Sequence, residues 1–268
     1  MRPILFTVGD TAILSHGAFV VLGTLVALWC GLRIAIRSGR MSHELIWIVA
    51  AGLGGAAFLS RFGLTIRYAL EPGNATLAGL LEYGGRTLLG GLAGAYLGVI
   101  LMKRLIRYRR DTGDILVPGV ALGIAIGRIG CFLAERPGTP TTLPWGVRVS
   151  PEVASSLRDC EGCLTGAAMH PSFLYESVFL TVLAGWLFRV SRRGSLPASW
   201  MVEGDLFKLF LLLYAAFRFL VEFVRGNPVM AFGLSGSQLI VLPAFVALAG
   251  YFLRSRRLWT DRALSAAT

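Results

Sequence analysis

Charge is what this chain has least of. Only 15% of its 268 residues are charged, against about 25% in an ordinary soluble domain. Acidic residues are the scarcer kind, with 15 Asp and Glu against 26 Lys and Arg. A soluble fold with 55% hydrophobic residues and a mean hydropathy of +0.66 would expose large apolar patches. That excludes the ordinary soluble classes. Internal repeats and low-complexity stretches are absent, which excludes solenoids and disordered linkers. No cleavable leader is expected either: "MRPILFTVGD" carries one basic residue, then a broken apolar patch with no small-residue cleavage site. The apolar run beginning near Ile13 is therefore expected to be retained. Net charge +11 would suit nucleic acid, but the excess sits in short segments beside apolar runs, so no nucleic-acid partner is expected.

What is present is a series of apolar runs. A helix needs roughly 20 such residues to cross a bilayer core. Runs at about 14–35, 44–62, 86–102, 115–134, 170–190, 205–225 and 234–253 meet or approach that length. The expected fold is all-α, a single integral membrane domain over 1–268 with about seven transmembrane helices. The 33 glycines suit it, because glycine lets membrane helices approach closely. Alternate connections are basic: Arg33, Arg37 and Arg40; "KRLIRYRR" at 103–110; Arg189, Arg192 and Arg193; Arg254, Arg256, Arg257 and Arg262. The positive-inside rule turns these to the cytoplasm. The N terminus is then outside and the C terminus inside, with an outer-side loop at about 135–169. Cys160 and Cys163 form "CEGC" in that loop. Two readings stay open for them, a local disulfide or half of a zinc site.

Three polar groups interrupt the runs. Arg128 lies in "IGRIGCFLAE". Tyr214, Arg218 and Glu222 are spaced i, i+4, i+8 along one helix face, followed by Arg225. His170, Tyr175 and Glu176 open the fifth run, and His16 opens the first. At about 1.5 Å per residue, Arg128 lies roughly 10 Å below the outer boundary, and Arg218 at a similar depth. A buried guanidinium costs several kcal/mol even on the cheaper insertion scales. Arg218 with Glu222 reads either as an ion pair locking helices or as part of a site. Arg128 has no carboxylate within a helical turn. Two arginines at matching depth suit an anion that lives there, and a phospholipid phosphate fits the guanidinium fork.

The blocks "GRIGCFLAERPGTPTTLPWGV", "HPSFLYE" and "YAAFRFLVEFVRG" resemble successive motifs of the prolipoprotein diacylglyceryl transferase family. The resemblance runs from "TVGDTAILSHGAF" to "SGSQLIVLP". It implies seven spans in a bacterial cytoplasmic (inner) membrane. It also implies an enzyme that moves the diacylglyceryl group of phosphatidylglycerol onto the lipobox cysteine of a preprolipoprotein signal peptide, releasing glycerol 1-phosphate. No cofactor and no metal are expected. By the same resemblance Arg128 and Arg218 bind and stabilise the phosphate, and Glu135 and Glu222 orient them. Tyr214, Arg225, His170, Tyr175, Gly90 and Gly91 join the substrate site. The family's His-Gly-Gly motif reads Leu89-Gly90-Gly91 here, so its proposed histidine base is missing. Arg86 is a further cation beside that position. The asparagine of the Gly-Arg motif is Cys131, and a tyrosine early in the first span aligns with His16.

The chemistry needs an anion clamp, a base for a thiol of pKa about 8.5, and an opening to the bilayer. His16 is the first candidate base and His170 the second; each also reads as a polar residue at a helix start. An arginine-rich site that itself lowers the thiol pKa is a further route. Cys131 reads either as a covalent intermediate or as a small packing residue. The missing histidine leaves room for a related phospholipid-dependent transferase with another acceptor. A lipid-binding or transport protein is the rival outside enzymes; polar groups confined to one membrane half argue against transport.

Overall fold

The structure is a computed structural model that describes residues 1–9, 11–69, 88–156, 160, 163, 165–193 and 196–265. The apolar runs become helices: α1 Ser15–Arg37, α2 His43–Ala69, α3 Leu88–Leu105, α4 Gly113–Ala134, α6 Ser172–Arg193, α7 Asp205–Val221 and α8 Gly236–Ser265, with a short α5 at Pro151–Ser156. Five contain stretches long and apolar enough to cross a membrane: Ser15–Arg37, His43–Ser60, Gly113–Ala134, Ser172–Arg192 and Gly236–Arg257. α3 and α7, of 18 and 17 residues, fill the two other expected segments. The fifth run becomes helical only at Ser172, because the residue before Pro171 is pushed out of the α region. The helix of the sixth stops at Val221 and tightens into a 3-10 turn over Glu222–Val224.

The fold is mostly helical, as expected for an all-α membrane protein, with two small hairpins beside the helices. Ile4–Val8 (β1) pairs antiparallel with Thr11–Leu14 (β2), and Val229–Ala231 (β3) with Leu234–Ser235 (β4). Strands of two to five residues leave no usable period-two pattern. The second hairpin turns through Phe232 and Gly233, both at positive φ (53° and 74°), the backbone of a tight two-residue turn.

The chain divides into two compact units, Met1–Arg37 with Thr112–Thr268, and Ser38–Asp111. In the first, α1 lies along α4, and α4 also packs on α6 and α7. A Cβ on Gly123 would stand 2.6 Å from the carbonyl oxygen of Gly23, so only glycine admits this approach. In the second unit α2 lies along α3. There Gly55 and Gly94 face each other's carbonyl groups with no room for a Cβ. Both seams repeat small residues four apart, as membrane helices do when no water drives them together.

One polar cluster anchors the first unit away from the intramembrane arginines. Asp114, in the first turn of α4, accepts the backbone N–H groups of Gly204 (2.8 Å) and Phe207 (3.0 Å) through its two oxygens. That satisfies donors that the start of α7 leaves open. Asp205 Oδ1 accepts both Lys208 Nζ and the Tyr251 hydroxyl at 2.7 Å, tying α8 to α7. The 14 residues from Asp114 to Arg128 set these anchors about 21 Å along α4 from the arginine. In the expected outer-side loop, Val149, Ala154, Met169 and the Cys160–Cys163 disulfide form a small buried core. The disulfide settles the open reading of "CEGC".

Candidate active site

Glu176 is fully buried in the second turn of α6 and lies at the centre of the site. Arg128 Nε comes from α4 to 2.8 Å from Glu176 Oε1. The Tyr214 hydroxyl of α7 donates to the same oxygen. Arg225 Nη1 approaches Glu176 Oε2 at 3.7 Å. A second carboxylate, Glu222, accepts Arg218 Nη1 at 2.7 Å, with Arg225 Nε at 3.9 Å. Arg225 thus stands between the two carboxylates. Phe173 offers its ring to the guanidiniums of Arg128 (5.7 Å) and Arg225 (4.4 Å). The carboxylate that engages Arg128 is therefore Glu176 from α6, where the resemblance had pointed to Glu135.

Three guanidiniums facing two carboxylates leave one positive charge in excess. Hydrogen bonding is also incomplete. Arg128 Nε sits close to Glu176, but off the line a hydrogen bond requires. Among the described residues, the buried side-chain atoms without a hydrogen-bond partner are Arg128 Nε, Glu176 Oε2 and Arg225 Nη1, all in this cluster. Buried polar atoms in native proteins are nearly always paired. Such a cation-rich cluster has the charge and the unbonded donors to accept an anion.

The β3–β4 hairpin supports Glu222. Ser235 Oγ and Asn227 Nδ2 donate to Glu222 Oε1 at 2.8 and 2.6 Å. Gln238 Oε1 accepts the backbone N–H of Ser235 (2.9 Å), and its Nε2 donates to the Phe219 carbonyl (3.2 Å). Arg136 donates to Asn227 Oδ1 at 3.2 Å. The neutral members of this set, Asn227, Ser235 and Gln238, were not singled out from the sequence. Polar residues at a helix start carry no signal until a hairpin folds them onto a buried carboxylate.

His16, Cys131 and Glu135 form a second cluster beside the first. Gly130 admits it: a Cβ there would lie 2.7 Å from Phe19 Cβ and 3.2 Å from the His16 Cα. α1 therefore starts against the end of α4. His16 Nδ1 lies 3.5 Å from Cys131 Sγ and 3.4 Å from Glu135 Oε1. Arg128 Nη1 donates to the same sulfur at 3.8 Å. Arg128 thus touches both clusters. Burial pushes the Glu135 carboxyl up, but bonds with His16 and Cys131 and the charges of His16 and Arg128 outweigh it and hold the group below the usual carboxylate range.

His170 Nδ1 pairs with the Tyr175 hydroxyl at 3.1 Å, which also accepts Trp145 Nε1 at 2.9 Å. Tyr175 lines an apolar groove of about 550 Å³ with Trp145, Pro171, Leu174, Phe179 and Phe217. Gly90 and Gly91 lie in the first turn of α3, in the other compact unit. Arg86 lies outside the described residues.

A sequence model of the family described as prolipoprotein diacylglyceryl transferase matches residues 3–254. The chain belongs to that family. Among its relatives, phosphatidylglycerol–prolipoprotein diacylglyceryl transferase of Chromohalobacter salexigens is 33% identical over 281 residues, 99% of this chain and 97% of the relative. The protein of the same name from Nitratidesulfovibrio vulgaris is 33% identical over 264 residues, 90% and 89% of the two chains. That from Dehalococcoides mccartyi is 28% identical over 270 residues, 95% of each. The Glu176-centred cluster is thus set in a family member matched almost end to end.

Proposed function

We propose that this chain transfers the diacylglyceryl group of phosphatidylglycerol to the lipobox cysteine thiol of a preprolipoprotein and releases glycerol 1-phosphate. The observation that carries the reading is the buried cluster of Arg128, Arg218 and Arg225, one positive charge richer than Glu176 and Glu222. A phosphodiester brings one negative charge to it. When the thiol sulfur attacks the glyceryl carbon, that carbon's bond to the phosphate oxygen breaks. The departing glycerol phosphate then carries two charges. Guanidiniums already fixed in place stabilise that gain without reorganising. Tyr214 and Glu176 hold Arg128, and Glu222 holds Arg218, so the cations keep their aim between turnovers. The apolar groove beside Tyr175 suits an acyl chain.

The thiol is activated at the His16–Cys131–Glu135 cluster, where His16 is the nearest basic group and Arg128 joins nucleophile to leaving group. The reading takes the chain as one domain with seven spans in a bacterial inner membrane, its N terminus and this site outside and its C terminus inside. Leu89, in place of the family's histidine, favours a second reading in which the acceptor is a different thiol or alcohol. Purified protein incubated with acyl-labelled phosphatidylglycerol and a lipobox peptide separates the two. Label on the peptide thiol is the expected result. Glycerol phosphate release without it points to another acceptor, and neither product would overturn the transferase assignment.

A further inference from the structure

No metal is expected from the sequence, yet three possible metal donors cluster beside Arg128. The His16 Nδ1, Cys131 Sγ and Glu135 carboxylate atoms all lie within 4.8 Å of one another. In a nucleophilic triad the histidine uses opposite ring nitrogens, one for the thiol and one for the carboxylate. Here a single nitrogen faces both, so the arrangement is a focus, not a relay.

The two separations from His16 Nδ1 have the size of a metal's coordination shell. A tetrahedral zinc ion with bonds of about 2.3 Å to sulfur, 2.0–2.1 Å to nitrogen and 2.0–2.2 Å to oxygen spaces its ligands about 3.5 Å (S···N) and about 3.4 Å (N···O). The observed separations are 3.5 Å and 3.4 Å. One nitrogen, one thiol and one carboxylate make a donor set of the kind zinc takes at catalytic sites, where three protein ligands leave a fourth position open. Access fits too: Cys131 is buried, while the His16 and Glu135 side chains are 30% and 43% exposed. Arg128 donates to the sulfur, as outer-shell groups do when they orient a ligand.

We propose that His16, Cys131 and Glu135 bind a zinc ion whose fourth position takes the acceptor thiol. The catalytic meaning of the site rests on the transferase reading above. On coordination the acceptor cysteine loses its proton to water, since a metal-bound thiol is deprotonated outright. The zinc-bound sulfur attacks the glyceryl carbon, a carbon–sulfur bond forms, and the carbon–oxygen bond electrons leave with the phosphate held by the arginines. The thioether product is a weaker ligand than a thiolate and dissociates. The ion thereby replaces a general base, which Leu89 cannot be.

Cobalt titration of the purified full-length protein in detergent tests the site. Tetrahedral Co²⁺ should bind one to one, with visible d–d bands and a thiolate-to-cobalt charge-transfer band, and Zn²⁺ should displace it. Cys131→Ser should abolish the charge-transfer band and weaken binding at least about 10- to 100-fold, as much as losing an outer-shell partner does. Glu135→Gln should weaken binding but keep the band. Cys30→Ser should leave both unchanged, Cys30 being the other free cysteine. Circular dichroism establishes that each variant is folded. No charge-transfer band, or a band that survives Cys131→Ser, overturns the proposal. Transfer that proceeds unchanged after chelation, without metal binding, overturns the zinc and leaves the transferase intact. Cobalt bound at Cys131 with no lipid product in any metal state keeps the metal site and overturns the transferase reading.

Discussion

The first unit carries two buried polar clusters about 20 Å apart along α4, and they follow opposite rules. At the start of α7, Asp114 and Asp205 accept bonds from backbone N–H groups, Lys208 and Tyr251. No side-chain atom there is buried without a hydrogen-bond partner among the described residues. At the other end, Arg128, Arg218 and Arg225 outnumber Glu176 and Glu222, and three buried atoms are unbonded. A satisfied cluster ties helices together. An unsatisfied one with an excess charge costs stability unless a ligand completes it. On the proposed reading the first cluster serves structure and the second chemistry, although both place buried charge between apolar helices.

The contrast breaks most visibly at the arginines. Arg128→Ala or Arg218→Ala should lower kcat for lipid transfer about 10²- to 10³-fold, the usual cost of one preorganised donor to developing charge, with the helical circular dichroism signal retained. Glu222→Gln keeps the shape but removes the charge that aims Arg218; a charged hydrogen bond contributes about 1.5–3 kcal/mol, so transfer should fall roughly 10- to 100-fold. Asp205→Asn should act the other way, lowering stability by about 1–3 kcal/mol in a detergent melt while activity per folded molecule holds. Ser235→Ala removes one of three donors to the Glu222 carboxylate. A bond to a charged carboxylate contributes about 1.5 kcal/mol at the low end, and Ser235 acts only through Glu222, so transfer should fall roughly tenfold or less. If Asp205→Asn proved as inactive per folded molecule as Arg218→Ala, the division between the clusters would fail.

What could be read in advance follows from where each signal lives. Arg128 and Arg218 stand out because a guanidinium within an apolar run breaks a local pattern. The helices were legible for the same reason, each being one contiguous run. Glu176 stands out as a polar group opening the fifth run, but the sequence alone assigns it no role in the site. Its importance comes from Arg128, Tyr214 and Arg225, brought to it by two other segments. The His16–Cys131 contact spans 115 positions, and no periodicity reports such a pairing. Ser235, held by Gln238, reaches Glu222 only because a seven-residue hairpin segment, 229–235, folds back. Pairings between elements depend on packing, which the small-residue seams decide.

The central claim is that the cation excess beside Glu176 holds a lipid phosphate. Equilibrium binding of phosphatidylglycerol, measured against neutral diacylglycerol of the same chains, tests it directly on the wild type, Arg128→Ala and Arg218→Ala. The account predicts that the wild type prefers the anionic lipid and that each variant loses most of that preference while still binding the neutral one. Unchanged retention of phosphatidylglycerol by both variants would contradict it.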